Sequence, residues 1–309
     1  MSTVKRESNW PPAGRKWRGV VGKLVVQQSW INDSEFIGYF VAATEGFYRA
    51  AGLEVLQLPG HAGLTPELKL LDGTADIALC APESVAATIH DTGAPLCVIG
   101  AQFQKSPLGI VSRADDPVHN LGDLRGRTLS VPEMNRAMVE ELLAHAGLEA
   151  GAVAIVPYTH DPQPLIDRQI AGLVDFIVDP QYRLRLAGVE PHAMLLFDHG
   201  APLPNNLAVV TEATFKTRRR DLVDWLLASR QGWRENYLDP AFYPARLRGN
   251  PLVESRTLDH EIYANAAFQP LVETPSGIMS ISDGLIDGVV AYLERVGLPI
   301  QRGLFTPLV

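Results

Sequence analysis

The sequence predicts an α/β protein of two lobes. Short apolar runs alternate with amphipathic stretches over most of the chain, the connections between them are short, and the pattern begins again near Ser106. Such alternation argues for parallel strands with helices on both faces. At 309 residues the chain can bury a large core as one domain or as two lobes.

The elements follow in order. Gly22 to Gln27 reads as a strand, and Phe36 to Ala51 as a helix stopping at Gly52. Leu53 to Leu58 is a strand, Thr65 to Leu71 a helix opening at Pro66, and Ala75 to Leu79 a short buried strand. Ser84 to His90 reads as a helix and Leu96 to Gln102 as a strand. The second unit has strands at Leu108 to Ser112, Arg127 to Val131, Val153 to Pro157, Phe176 to Val178 and Ala193 to Phe197. Its helices are expected at Glu133 to Ala146, Pro164 to Leu173 and Tyr182 to Ala187, with a small helix and turn at His119 to Gly126. Asn205 to Val210 is again an apolar strand. Arg220 to Tyr237 is a long helix with Leu222, Val223, Leu226 and Leu227 on its apolar side. Beyond Pro240 the pattern loosens, with helices at Thr257 to Ala267 and Ile281 to Val296. A chain that crosses over and returns accounts for this order: an arm at 1–19, the first part of lobe 1 at 20–105, lobe 2 at 106–200, and the return to lobe 1 with C-terminal helices at 201–309.

Composition narrows the function. Hydrophobic residues make up 46% and charged residues 20%, as in soluble globular proteins. A net charge of -8 gives no support to a nucleic-acid surface. No run of eighteen apolar residues suggests membrane insertion. Cys80 and Cys97 sit in apolar runs without zinc spacing, and the pairs His160-Asp161 and Asp198-His199 lack a third partner, so no metal or other cofactor is expected. No glycine-rich phosphate loop follows the first strand. Lys216 to Arg220, KTRRR, reads as a solvated basic face.

One stretch asks for more than a turn. Ser29 to Phe36, SWINDSEF, follows the first strand and sets a tryptophan among polar residues. A hydrophobic staple at a helix start, capped by Asp33 or Ser34, explains it structurally. The wall of a small-molecule pocket explains it functionally.

The order of pieces favours the second account. The strand, SWINDSEF, the helix ending EGFYRAAGLEV, then LLDGTADIAL resemble the NMT1/THI5-like branch of the periplasmic-binding-protein fold; SPLGIVSRADDPVHNLGDLRGRTLSVP and NNLAVVTEATFKTRRRDLVDWLLASRQGW extend the resemblance from about Lys23 to Pro240. It implies a bilobed fold and a solute-binding component of an ABC importer, with a small molecule in the inter-lobe cleft and an ABC permease as partner. The family also contains a thiamine-precursor pyrimidine synthase, whose lysine and histidine positions here read Cys80 and Ser84, and whose cysteine-rich run is replaced by LPNNLAVV. A related desulfinase would carry its cysteine in the first loop, where this chain has Ser29 and no Cys.

Loops at the carboxyl ends of strands supply the candidate ligand residues: Trp30, Asn32 and Asp33 after the first strand, His61 after the second, Cys80 and Glu83 after the third, and Glu133, Asp179 and Tyr182 in lobe 2. Each also has a bland explanation: a turn for Asn32 and Asp33, an exposed loop for His61, a buried thiol for Cys80, and helix starts or caps for Glu83, Glu133 and Asp179. Glu83 and Asp179 facing the cleft would favour an amine-bearing or pyrimidine-like ligand over nitrate or a sulfonate. Cys80 and His61 are the candidates for chemistry if the chain is a cytosolic enzyme on the same fold. A monomer is expected. MSTVKRESNWPPAGRKWRG is basic without an apolar core, so a periplasmic location is expected if the true start includes a signal peptide, and a cytoplasmic one if the chain as given is complete.

Overall fold

A computed structural model describes residues 22–253 and 256–309. The arm expected at 1–19 lies outside the described residues. Lobe 1 opens with β1 (Gly22–Gln27), α1 (Ile37–Thr44), α2 (Phe47–Ala50), β2 (Leu53–Leu58), α3 (Glu67–Leu71), β3 (Ile77–Cys80), α4 (Pro82–Thr92) and β4 (Leu96–Phe103). Lobe 2 comprises β5 (Leu108–Arg113), β6 (Thr128–Val131), α5 (Arg136–His145), β7 (Ala154–Pro157), α6 (Gln163–Ile166), β8 (Gly172–Phe176), α7 (Val178–Leu186) and β9 (Pro191–Leu195). The chain returns through β10 (Asn205–Thr211), then α8 (Glu212–Thr217), α9 (Arg219–Tyr237), α10 (Phe242–Leu247), α11 (Leu258–Val272) and α12 (Asp283–Arg295).

Each lobe is built on a five-stranded sheet, ordered β2-β1-β3-β10-β4 in lobe 1 and β7-β6-β8-β5-β9 in lobe 2. The sheets are mixed, not parallel throughout as the alternation suggested. β10 runs antiparallel to both β3 and β4, and β5 antiparallel to both β8 and β9. Each is the first strand after a crossing, so it starts from the edge where the other strands end. The crossings, 104–107 and 200–204, therefore run along the edge at which β1, β3, β6 and β8 finish. β3 and β4 are buried along their whole length, as strands covered on both faces must be.

Four local expectations change. The helix read over Phe36 to Ala51 is broken at Gly46, whose φ of 78° lies outside the range a helix uses. Pro164 to Leu173 is not one helix: α6 ends at Ile166, and Gly172 already begins β8. β8 stops at Phe176 and Val178 opens α7, which puts Asp179 in a helical first turn. On α9 the buried side is formed by Leu222, Trp225, Leu226 and Trp233, while Leu227 is exposed.

The KTRRR segment is more than a solvated face. Arg218 Nη1 donates to Asp76 Oδ1 at 2.8 Å, its Nη2 donates to Asp221 Oδ2 at 3.0 Å and to the Lys23 carbonyl, and Asp76 in turn accepts from Val25 N at 2.8 Å. One guanidinium thus ties α9 to β1 and to the turn before β3. Farther along α9, α1 and α9 cross at two glycines. A Cβ on Gly38 would lie 2.5 Å from Trp233 Cε2, and one on Gly232 only 2.7 Å from Ala42 N. The close crossing lets Tyr39 stack on Trp225 at 5.8 Å and meet Trp233 edge-on at 5.7 Å.

Candidate inter-lobe site

The loop after β1 is held from two sides. Trp30 carbonyl oxygen accepts from Gly60 N at 2.7 Å, and a Cβ on Gly60 would lie 2.5 Å from the Ser29 carbonyl carbon. Only glycine allows the 28–30 and 58–60 segments to approach so closely. Trp30 is half-buried and packs on the edge of the lobe 1 core. Asp33 caps the 3-10 turn Ser34–Phe36 by accepting from Glu35 N at 2.9 Å.

Behind this loop lies a buried polar network drawn from distant parts of the chain. Ser29 Oγ donates to Asn206 Oδ1 at 2.9 Å, and Asn206 Nδ2 donates to Glu35 Oε1 at 2.7 Å. Asn206 adopts φ 48°, the left-handed region asparagine tolerates better than most residues. Glu261 Oε2 accepts from Ser34 N at 2.8 Å and from Ser34 Oγ at 2.5 Å. Burial and the neighbouring Asp33 push the Glu35 carboxyl up to about 8, against the Asn206 hydrogen bond. Burial likewise carries Asp33 up to about 6, although Arg256 pulls the other way.

Arg256 and α11 join this network to lobe 2. Arg256 Nη2 stands 3.4 Å from Asp33 Oδ2 and 3.8 Å from Asp179 Oδ1, and His260 Nε2 stands 3.1 Å from the same Asp179 oxygen. Burial disfavours the Asp179 anion, but His260 and Arg256 outweigh it and hold the carboxyl below its usual range. Tyr182 stacks on the His260 ring at 4.4 Å with planes 9° apart, and its hydroxyl is 3.4 Å from Thr257 Oγ1. Asp179 and Tyr182 thus clasp α7 of lobe 2 to α11. The acidic character foreseen at Asp179 is met by the protein's own Arg256 and His260 side chains.

The remaining candidates separate. Cys80 ends β3 fully buried, and burial with the nearby Glu67 pushes its thiol well up. A thiol so placed is a poor nucleophile. Glu83, in the first turn of α4, is half-buried, and desolvation pushes its carboxyl up to about 7. Glu133 is exposed in the turn before α5, beside Met134, which is 81% exposed. His61 is exposed, its Nδ1 2.9 Å from the Ala62 carbonyl oxygen. Asn32 lines a hollow of about 230 Å³ between α1 and β2, with Phe40 and Val55. A larger hollow of about 340 Å³ belongs to the crossings, between Gln104, Lys105, Pro202 and Leu285. Among the described residues no group of three or more His, Cys, Asp or Glu could hold a metal ion, and no helix is long and apolar enough to cross a membrane.

Sequence reasoning missed Glu35, Asn206, Arg256, His260 and Glu261. The polar pair Asn205-Asn206 opening an otherwise apolar strand was the available signal, as was the charged run at the start of α11.

Comparison with known proteins agrees with this architecture. A curated relative, the riboflavin-binding protein RibY of Chloroflexus aurantiacus, is 23% identical over 224 residues, 71% of this chain; the match spans 63% of that protein's length. The periplasmic aliphatic sulphonate binding protein SsuA of Escherichia coli superposes with a TM-score of 0.65 at 13% identity, over 90% of this chain and 94% of that one. The desulfurization enzyme DSZB superposes with a TM-score of 0.57 at 12% identity, over 92% of this chain and 96% of that one. Binding proteins and an enzyme share this bilobed fold, so function has to be argued from the site. The profile described as NMT1/THI5 like matches residues 33–241, and with that span the chain belongs to the NMT1/THI5-like family.

Proposed function

We propose that the chain is the solute-binding component of an ABC-type importer and captures a small, polar, ring-containing molecule between its lobes. The observation that carries this reading is the acid set at the strand ends of lobe 1. Asp33, Glu35 and Glu83 have carboxyls pushed up to about 6, 8 and 7, and Arg256, which acts on Asp33 and Glu35, is already shared between Asp33 and Asp179. A protonated carboxyl offers a donor and an acceptor together, which suits the edge of a neutral heterocycle or amidine. Any of the set that is ionised repels a sulfonate or nitrate.

In this reading Trp30 stacks on the ring and Glu83 bonds its edge, while Ser29 is oriented by Asn206. Glu133 approaches from lobe 2 on closure. The contacts of Asp179 and Tyr182 with Arg256 and His260 register the position of the lobes, which a permease would read. The similarity to a riboflavin-binding protein supports a ring ligand and makes flavins the first compounds to try, with aminopyrimidines next.

The test is mass spectrometry of small molecules released from the purified chain, followed by calorimetry with riboflavin, an aminopyrimidine and an alkanesulfonate. Expected is saturable binding of a ring compound recovered unchanged, weakened about tenfold by Trp30→Ala through loss of stacking. Preference for the sulfonate, indifference to Trp30→Ala, or a time-dependent product would overturn the proposal.

A further inference from the structure

The loop that leaves β7 carries an imidazole held in one orientation. His160 Nδ1 lies 3.1 Å from Oδ2 of Asp175, near the end of β8. Asp175 is itself fixed, because its Oδ1 accepts from Phe176 N at 2.8 Å. An ionised carboxylate only accepts, so Nδ1 carries the hydrogen that joins the two and Nε2 is the nitrogen presented outward. Tyr158 packs against the ring, with centroids 5.1 Å apart and planes at 54°. Arg183 of α7 holds the backbone: its Nη1 donates to the His160 carbonyl at 2.6 Å, and its Nη2 stands 3.5 Å from Asp161 Oδ1. His160 takes φ 58°, a left-handed conformation that is unfavourable for a residue with a Cβ. Strain held in place by surrounding contacts clusters at functional sites.

The ring is not packed away. Its side chain is 59% exposed, and Nε2 has no partner among the described residues. Its place is the cleft edge of lobe 2. β6 runs parallel to both β7 and β8, so the loop after β7 and the end of β8 lie on the edge along which the crossings run. In such sheets ligands bind outside the carboxyl ends of the strands. Asp179 of the clasp is near enough for its charge to act on the ring.

We infer that His160, positioned by Asp175, is a lobe 2 contact of the cleft ligand and donates from Nε2 to a ring carbonyl oxygen. The inference rests on the proposed function and narrows its ligand class: a heterocycle with ring carbonyls is taken in preference to an aminopyrimidine that has none. The groups that face the imidazole are Asp175 from β8, Tyr158 and Asp161 from its own loop, and Asp179 and Arg183 from α7. The hydrogen bond to Asp175 lifts the imidazole above its ordinary value against desolvation, and the charges of Asp175 and Asp179 add to it. Protonated, Nε2 has a hydrogen to give; neutral, it only accepts. Binding of a carbonyl through this atom therefore strengthens as pH falls through the His160 value.

The experiment is calorimetry on the full chain with riboflavin, which has ring carbonyls, and 4-aminopyrimidine, which has none. It is run at about pH 6 and about pH 8.5, on either side of the histidine range. Asp33, Glu35 and Glu83 titrate in the same window, so each variant is compared with wild type at the same pH. His160→Leu should weaken riboflavin about tenfold at the acid end, as for loss of a charged donor, and little at the alkaline end. His160→Gln, whose side-chain amide donates at any pH, should keep most of the affinity. Asp175→Asn, checked as folded by circular dichroism, should lower the pH at which the His160 ring titrates by NMR. Binding of 4-aminopyrimidine should be weaker and indifferent to His160. Equal losses at both pH values, full affinity in His160→Leu, preference for 4-aminopyrimidine, or a wild-type His160 that titrates at or below about 6.5 would overturn the inference. Riboflavin binding that needs Trp30 but ignores His160 sinks this inference and leaves the proposed function standing; no saturable binding of any ring compound sinks both.

Discussion

Glu35→Gln isolates the consequence of burying an acid at the centre of the network. Glu35 is 7% exposed, and burial with Asp33 raises its carboxyl from 4.5 to about 8. Because the folded value lies above the unfolded one, the folded chain keeps a proton that the unfolded chain has released between those two values. The stability it contributes is complete below pH 4.5 and lost as pH rises through about 8. Each pH unit inside that window is worth about 1.4 kcal/mol, so from about pH 5.5 to 8 the wild-type chain loses at most about 3 kcal/mol through this group. Asp33 titrates beside it, and an even division between the two leaves about 1.5 kcal/mol. Glutamine keeps the oxygen that Asn206 Nδ2 bonds and has no proton to release. The stability of Glu35→Gln relative to wild type should therefore rise by about 1.5 kcal/mol across this range. With an unfolding entropy of about 2.1 cal/mol/K per residue, that gain moves the melting midpoint by about 2 °C. Thermal melts of both chains, followed by circular dichroism at the two ends of the range, measure it. A difference that stays constant, or shrinks as pH rises, would refute the claim that burial holds the proton on Glu35.

The helix crossing and the buried thiol give two further tests. Gly232→Ala should lower the urea midpoint by the equivalent of about 3 kcal/mol, at the upper end for overpacking, because the Cβ meets backbone atoms of α1. Gly284→Ala in α12 meets nothing within 4 Å and should raise it by roughly 0.5–1 kcal/mol; shifts in the same direction would sink the packing argument. Cys80 should resist iodoacetamide in the native chain and react once urea unfolds it; prompt native labelling would mean that the end of β3 is open.

Much of the fold was legible because GKLVVQ, ADIALC and LCVIGAQF are short apolar runs separated by turn residues. Strand direction was not, since an apolar run reads the same whichever way it enters the sheet; the antiparallel settings of β5 and β10 come from the crossings. The break at Gly46 was hidden because FYRAA resumes the helical pattern directly after it. In LIDRQIAGLVDFIV the apolar positions fit a helix and a strand equally well until Gly172. Of the proposed site, Trp30 and Glu83 are the members that could be picked out, because they follow strands. Arg256, His260 and Glu261 could not, because they reach Asp33, Asp179 and Ser34 from far along the chain, and nothing local in the sequence records such a partner.

The place of β10 fixes an order of assembly. Leu207 faces Cys80 on one side and Ala101 on the other, so β10 is an inner strand of lobe 1 that is made only after all of lobe 2. Lobe 2 draws its five strands from one uninterrupted stretch, β5 to β9, and can complete its sheet as soon as that stretch has left the ribosome. Lobe 1 must wait with β3 and β4 unpaired along the edges β10 will occupy, an exposure that invites pairing with other chains. Its contacts also span the longest sequence separations, which slows their formation. The lobe that is translated first is therefore the lobe that closes last, and a chain stalled before Asn205 presents two buried-type strands to whatever holds nascent chains apart.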